Sequence, residues 1–178
     1  MHLSIEPSIL YLGTPVILVT TLNEDGTSNI APMSSAWWLG WNCMLGLGKN
    51  AHTAKNLQRE RECVLNLPSA SGVDAVNRLA KLTGAPVISD WKKSVGYKYE
   101  RDKFGVAGLT PDASSNVGAP RIQECPIQLE AVLENVHPFG NAPGATPGAY
   151  AFEVRVVKAH VDDSLLVEDR VNHIDPDK

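Results

Sequence analysis

The fold is decided first by residues 15–32, PVILVTTLNEDGTSNIAP. Residues 15–22 are β-branched and apolar, which is typical of a buried strand. Asp25-Gly26 comes next and is a strong tight-turn signal. Residues 27–32 would then return antiparallel to the first strand, so the sequence predicts an opening β-hairpin.

Outside this hairpin, the pattern predicts four more strands, at residues 41–47, 62–67, 127–136 and 149–161. Two short helices are predicted over residues 52–62 and 72–82, and an irregular excursion over residues 85–118. Sequential hairpins with few helical crossovers favour an antiparallel barrel over a doubly wound sheet. We expect one domain over residues 1–178, mainly β.

The composition is that of an ordinary globular protein. The 178 residues are 43% hydrophobic and 20% charged, which argues against disorder. Lys and Arg number 16 against 20 Asp and Glu, so the net charge is −4. Because there is no basic excess for a phosphate backbone or an anionic membrane surface, we expect neither nucleic acid nor a membrane as a partner.

Targeting signals and cysteine usage favour the cytoplasm. Residues 1–13 place no basic cluster ahead of an apolar stretch, unlike a secretory signal. Residues 26–48 are uncharged, but Asn29, Pro32 and several glycines make a membrane-spanning helix improbable. The three cysteines are widely spaced and form no CxxC pair, which indicates reduced packing residues: Cys43, Cys63 and Cys125.

Several common nucleotide-binding and catalytic motifs are missing. The patterns GxxxxGK[ST], GxGxxG, GxSxG and HExxH do not occur. The five histidines lie singly along the chain, so no metal site is predicted. We also predict no catalytic side chain.

Residues 49–56, KNAHTAKN, lie between a predicted strand and a predicted helix. A helix N-terminus presents free backbone N–H groups and the positive end of the helix dipole. Two lysines and a threonine hydroxyl beside it would suit a phosphate dianion. The alternative is an ordinary helix cap followed by a solvated face.

Residues 29–38, NIAPMSSAWW, place small polar residues after a strand and a proline. Exposed backbone groups at such a break can hydrogen-bond a planar heterocycle, and Trp37 and Trp38 can pack against it or against a partner subunit. The alternative is a barrel corner with tryptophans in the core.

Taken together, these segments resemble the flavin reductase-like family, the FMN-binding split-barrel flavoproteins. The matching pieces are PVILVTT, Asp25-Gly26, SNIAPMSS, KNAHTAKN and ECVLNLPS. Later matches include Lys103-Phe104, AGLT at residues 107–110 and GAPRI at residues 118–122. The resemblance covers residues 15–161, and the order and spacing of the pieces make it specific.

The resemblance implies a six-stranded antiparallel split β-barrel (Greek key) with a few short helices. It also implies a homodimer with FMN bound near the subunit interface. The flavin ring would be lined, largely through backbone groups, by Met33, Ser34, Ser35 and Ala36. The flavin phosphate would be surrounded by Lys49, Asn50, His52, Thr53 and Lys55.

The implied activity is that of an NAD(P)H:flavin reductase-like oxidoreductase. Electrons would pass from NADH or NADPH through FMN to another flavin, a partner oxygenase or another acceptor. Many family members carry Gly-Asp-His where this chain has Gly148-Ala149-Tyr150. That departure leaves open a non-catalytic FMN-binding electron carrier of the flavoredoxin kind. A split barrel used for interaction without flavin is a third possibility, against which the intact KNAHTAK segment argues.

Overall fold

The computed structural model describes residues 14–140, 148–168 and 170–178. In chain order, the strands and α-helices of these ranges are β1 (Ile17–Leu22), β2 (Ser28–Met33), β3 (Ala36–Leu39), β4 (Asn42–Gly48), α1 (His52–Glu60), β5 (Glu62–Leu67), α2 (Val73–Leu79), β6 (Leu82–Thr83), α3 (Asp90–Ser94), β7 (Lys98–Tyr99), α4 (Lys103–Ala107), β8 (Pro111–Asp112), β9 (Arg121–Ile122), β10 (Ile127–Phe139), β11 (Ala149–Val161), β12 (Leu166–Val167) and β13 (Arg170–Ile174).

The opening hairpin is confirmed. Strands β1 and β2 pair antiparallel, from Ile17 opposite Met33 to Leu22 opposite Ser28. In the turn, Asn23 N donates to the Thr27 carbonyl at 2.7 Å. Gly26 adopts φ +79°, a conformation that glycine tolerates best. The Asp-Gly pair therefore sets the register of the first two strands.

The main sheet has the order β2-β1-β5-β10-β11-β4-β3, with antiparallel pairing throughout. Strands far apart in sequence lie side by side, because β1 pairs with β5 and β4 pairs with β11. The mainly β class with a few short helices is confirmed. The sheet has seven strands rather than the six expected, since Ala36–Leu39 forms a short edge strand with an exposed Trp37 and Leu39.

The two edges of this sheet are joined by only two residues. Strand β2 ends at Met33 and β3 begins at Ala36, so the Ser34-Ser35 link keeps the strand ends within about 11 Å. A seven-stranded sheet whose first and last strands are tied in this way must curl on itself. Since β2 and β3 do not pair with each other, the closure is partial, as in a split barrel.

The barrel interior is filled by alternate residues of its strands. In β11, Phe152, Val154 and Val156 are buried and Arg155 is exposed, which confirms the two faces expected from the sequence pattern. The interior cluster also includes residues from β1, β2, β3, β4, α1, β5 and β10, among them Ile17, Met33, Ala36, Leu45, Leu57, Leu65 and Leu133.

A second apolar cluster covers the outside of β1 and β2. It contains Leu18 and Ile30 from the strands, Leu79 from α2, and Phe104 and Ala107 from α4. The excursion predicted over residues 85–118 is therefore only partly irregular, because α4 packs onto the sheet through this cluster. This packing places the start of α4 directly against β2.

The boundaries of the two predicted helices differ from the expectation. Helix α1 ends at Glu60, and Arg61 closes it in a left-handed conformation at φ +60°. Helix α2 spans only Val73–Leu79, because Leu82 and Thr83 pair with β7 instead. No helix in the described ranges is long and apolar enough to cross a membrane. The predictions about residues 1–13 and 141–147 lie outside the described residues.

Candidate functional site

An open groove of about 760 Å³ lies where the sheet edges meet. One side is formed by the β2–β3 link and the start of β3, and the other by the ends of β4 and β11. Its lining includes Ser34, Ser35, Ala36, Trp37, Gly46, Leu47, Gly48, Phe139, Ala149 and Ala151. Small residues and exposed backbone leave room for a flat ring, and two aromatic side chains stand at its edge.

The Ser34-Ser35 link is held against β4 by a close backbone contact. Gly46 N donates to the Ser35 carbonyl at 2.7 Å. A Cβ atom added at Gly46 would lie 3.0 Å from the Ser35 Cβ, closer than side chains normally pack. Gly46 therefore allows the link to approach β4 and fixes one wall of the groove.

Three of the four residues predicted to line a flavin ring lie in this groove. Ser34 and Ser35 are exposed, whereas Ala36 is buried at the base of the wall. Met33 is 8% exposed and packs in the barrel core, outside the groove lining. Trp37 lines the groove with 58% of its surface exposed, while Trp38 packs against the core.

A smaller hollow of about 160 Å³ adjoins the groove, and Leu47 lines both. The N-terminal turn of α1 contributes Ala51, His52 and Thr53, and β2 contributes Asn29. Its other lining residues include Leu82, Thr83, Gly84, Lys92, Tyr97 and Lys103. None of the described residues that line this hollow is Asp or Glu, although it contains two lysines and a histidine.

Lys103 is the most buried cation in this hollow, with 3% of its surface exposed. Its Nζ donates to Asn29 Oδ1 at 2.9 Å and to the Ile30 carbonyl at 2.8 Å. In the described part of the chain, no carboxylate forms an ion pair with it. Burial and, to a smaller extent, the positive charge of nearby Lys92 lower the pKa of Lys103 to about 8, against an opposing effect of Glu100.

His52 and Thr53 are fixed by hydrogen bonds to neighbouring amides. His52 Nε2 lies 2.8 Å from Asn23 Oδ1, and Thr53 Oγ1 accepts from Asn29 Nδ2 at 3.1 Å. Burial lowers the pKa of His52, and the positive charges of Lys103, Arg59, Lys55 and Lys92 lower it further. These positive groups destabilise one another, so an anion placed among them would be stabilised.

Only two of the five residues predicted to surround a phosphate line the hollow, namely His52 and Thr53. Lys49 is half-buried, and Asn50 and Lys55 are exposed, so these three lie outside the lining. No side chain caps helix α1, whose N-cap residue is Ala51. The helix N-terminus therefore faces the hollow without a capping oxygen of its own.

Three lining residues were not predicted from the sequence, and all come from the excursion: Lys92, Tyr97 and Lys103. Lys103 belongs to a segment that matched the family, yet no local pattern marks a lysine as buried. Groups of three or more His, Cys, Asp or Glu side chains suitable for a metal ion do not occur in the described ranges.

The chain matches the model of the flavin reductase like domain over residues 10–173. It is 40% identical over 174 residues to the uncharacterized protein YdfE of Bacillus subtilis, covering 98% of this chain and 81% of the relative.

Two solved structures share the fold. One is nitrilotriacetate monooxygenase component B from Bacillus cereus, with a TM-score of 0.73, 24% identity, and coverage of 96% of this chain and 86% of that one. The other is flavoredoxin of Desulfovibrio vulgaris, with a TM-score of 0.75, 23% identity, and coverage of 98% and 83%. With the family match spanning nearly the whole chain, the protein belongs to the flavin reductase-like family.

Proposed function

We propose that this protein is a flavin-dependent oxidoreductase that binds FMN. It would take electrons from NADH or NADPH and pass them to a free flavin, a partner oxygenase or another acceptor. Three buried, unpaired cysteines support a reducing compartment, so we place the activity in the cytoplasm.

The observation that carries this proposal is the pair of adjoining cavities with opposite chemistry. The 760 Å³ groove is lined mostly by small and apolar residues, and the 160 Å³ hollow by Lys92, Lys103 and His52. FMN has the same two parts, an isoalloxazine ring and a terminal phosphate. Leu47, which lines both cavities, marks where the ribityl chain would pass.

In the groove, the ring would lie along the Ser34-Ser35 link and β4. Backbone groups of the link would hydrogen-bond its polar edge, and Trp37 would pack near its face. Ala36 has a small side chain and Gly46 has none, so a flat ring could approach the backbone of this wall closely. Met33 would support the wall from the core without touching the ring.

In the hollow, the phosphate would be held by charge and by the N-terminus of α1. Lys103 and Lys92 would supply positive charge, and Thr53 a hydroxyl. The N-terminal turn of α1 would add backbone N–H groups and a favourable field. Lys49, Asn50 and Lys55 belong to the same segment but lie outside the lining, so they would act only through their charge or polarity. A phosphate dianion would also stabilise the charged forms of Lys103 and His52.

The flavin supplies the electron-transfer chemistry, and the protein supplies position and electrostatics. The groove wall would fix the ring and exclude water from the face turned toward β4. Lys103 would set the position of the phosphate end, because its Nζ is anchored on Asn29 and Ile30.

A second candidate function is that of an FMN-binding electron carrier. Residues 148–150 carry no histidine, and Tyr150 is half-buried edge-on against Phe152, with ring centroids 6.3 Å apart. A solved structure of the same fold is a flavoredoxin. Steady-state oxidation of NADH and NADPH with free FMN separates the two, since a carrier would show no turnover.

We also propose a homodimer. Trp37, Leu39, Trp41 and Phe139 are each more than half exposed, and Trp37 and Phe139 line the groove. Large aromatic side chains are enriched in interface cores. A second copy on this surface would cover the open side of the groove.

The proposed function is tested by titrating the protein with FMN and riboflavin. A charge-assisted contact to the phosphate should make FMN bind about ten- to a hundredfold more tightly than riboflavin, which lacks the phosphate. Lys103→Met should remove most of this difference. Lys93→Ala should remove none, because Lys93 is exposed and pairs with Asp90. Absence of binding by either ligand, or equal affinity for both, would contradict the proposal.

A further inference from the structure

Residues 82–99, which follow α2, fold over the cationic hollow, and we call this segment the roof. Its two ends are pinned together because β6 and β7 pair in parallel, with Leu82 opposite Lys98 and Thr83 opposite Tyr99. Lys98 N donates to the Lys81 carbonyl at 2.9 Å, which strengthens this closure. The roof is thus a tied loop with helix α3 at its tip.

The roof is pressed tightly onto the floor of the hollow at Gly84. A Cβ atom at this position would lie 2.5 Å from Asn29 Oδ1 and 2.6 Å from His52 Cδ2. Neither distance is possible in a real side-chain contact, so Gly84 is required for the roof to approach the α1 N-terminus. Leu82, Thr83 and Gly84 therefore line the hollow on the side of β6.

On the side of α3, the hollow is lined by Lys92 and Tyr97. The Lys92 Nζ lies 5.3 Å from the centroid of the Tyr97 ring, and both side chains are half-buried. Trp91 supports the same ring from outside, with centroids 6.4 Å apart. This stack places an aromatic ring and a cation in the lining of the hollow.

We propose that the roof selects flavin mononucleotide over flavin dinucleotide, with Tyr97 as the main specificity-determining residue. This inference rests on the proposed function. FMN ends in a phosphate monoester, which the 160 Å³ hollow accommodates. FAD continues through a second phosphate to an adenosine, which would have to displace the Tyr97 ring or leave the first phosphate outside the hollow.

The test compares the dissociation constants of FMN and FAD for the wild-type protein and two tyrosine variants. The wild type should bind FMN about tenfold or more tightly than FAD. Tyr97→Ala should reduce this ratio at least about threefold by admitting FAD. Tyr99→Ala is the matched control, because Tyr99 lies in the roof but outside the hollow lining, and it should leave the ratio unchanged.

A second measurement needs no variant. Hydrogen exchange of the roof amides should slow when FMN binds and stay unchanged with riboflavin, which lacks the phosphate. Equal protection by both ligands would overturn the roof's role. So would equal affinity of the wild type for FMN and FAD, or an unchanged ratio in a folded Tyr97→Ala protein. If no flavin binds at all, the proposed function itself fails, which is a distinct result.

Discussion

Lys103 carries an ammonium group into the interior at the point where α4 packs on β2. Its hydrogen bonds to Asn29 and Ile30 satisfy two of its three donors, but among the described residues no carboxylate forms an ion pair with it. An unpaired buried charge destabilises the folded state. The phosphate of the proposed FMN would offset this cost.

The stability of the ligand-free protein should rise with pH because of this residue. The pKa of Lys103 falls from 10.5 to about 8 on folding, so the unfolded chain binds more protons between these values. Stability therefore increases from pH 8 to 10.5, by up to about 3 kcal/mol. Urea unfolding at several pH values measures this increase in the free energy of unfolding. The Lys103→Met variant should lack the increase that comes from Lys103.

Saturating FMN should weaken this trend. A bound phosphate dianion favours the charged form of Lys103 and raises its pKa back toward the unfolded value, so the folded and unfolded chains bind more nearly equal numbers of protons between pH 8 and 10.5. An identical pH dependence with and without FMN would show that the phosphate does not reach this lysine.

Among the elements, the Ser34-Ser35 link is the one that defines the groove. If its backbone holds the ring, Ser35→Ala should keep FMN affinity within about 1 kcal/mol, the value of one neutral hydrogen bond. Ser35→Pro should abolish binding, because it removes an N–H and restricts Ser34. Titration with FMN measures both, and circular dichroism checks folding. Comparable loss in the two variants would make the hydroxyl the ligand.

The contact between β4 and this link predicts a stability difference between two glycines. Gly46→Ala should lower the melting temperature, because its Cβ would push against Ser35 at 3.0 Å. Gly48→Ala is the matched control in the same strand, since no atom lies within 4 Å of its added Cβ. Thermal unfolding of the ligand-free variants tests this, and equal melting temperatures would contradict the tight approach.

The sequence predicts those elements whose pattern is local. Strand β5 has the expected bounds of residues 62–67, and β11 those of residues 149–161, because both have the apolar patterns typical of strands. Strand β3 was missed because four residues at a sheet edge, with an exposed Trp37, show no such pattern. The roof was missed because its pairing and its contacts depend on residues far away in sequence.

The same distinction holds for the candidate site. The sequence predicts residues 34–36 and His52-Thr53 as site residues, because they lie next to strand and helix ends where backbone groups are free. It did not identify Lys103, whose partner Asn29 is 74 positions away. Burial of a lysine is a tertiary property, and composition and spacing do not contain it.

At the scale of the whole molecule, the exposed aromatic surface beside the groove predicts a dimer. Sedimentation at micromolar concentration should show two copies. Leu39→Glu combined with Trp41→Glu should give monomers, because both side chains are more than 60% exposed and the charges could not be buried. Val73→Glu is the control at another exposed apolar residue, on α2, and should stay dimeric. A monomeric wild-type protein at this concentration would contradict the proposed homodimer.

One wall of the groove joins two distant parts of the chain, because Gly48 of β4 pairs with Ala149 of β11 about a hundred positions later. Contacts between such distant residues form slowly, since a long loop must close before they contribute. During synthesis the groove cannot exist until β11 has left the ribosome, so the proposed FMN could bind only after that point. In refolding experiments, quenching of flavin fluorescence should therefore follow the slowest phase and never precede it.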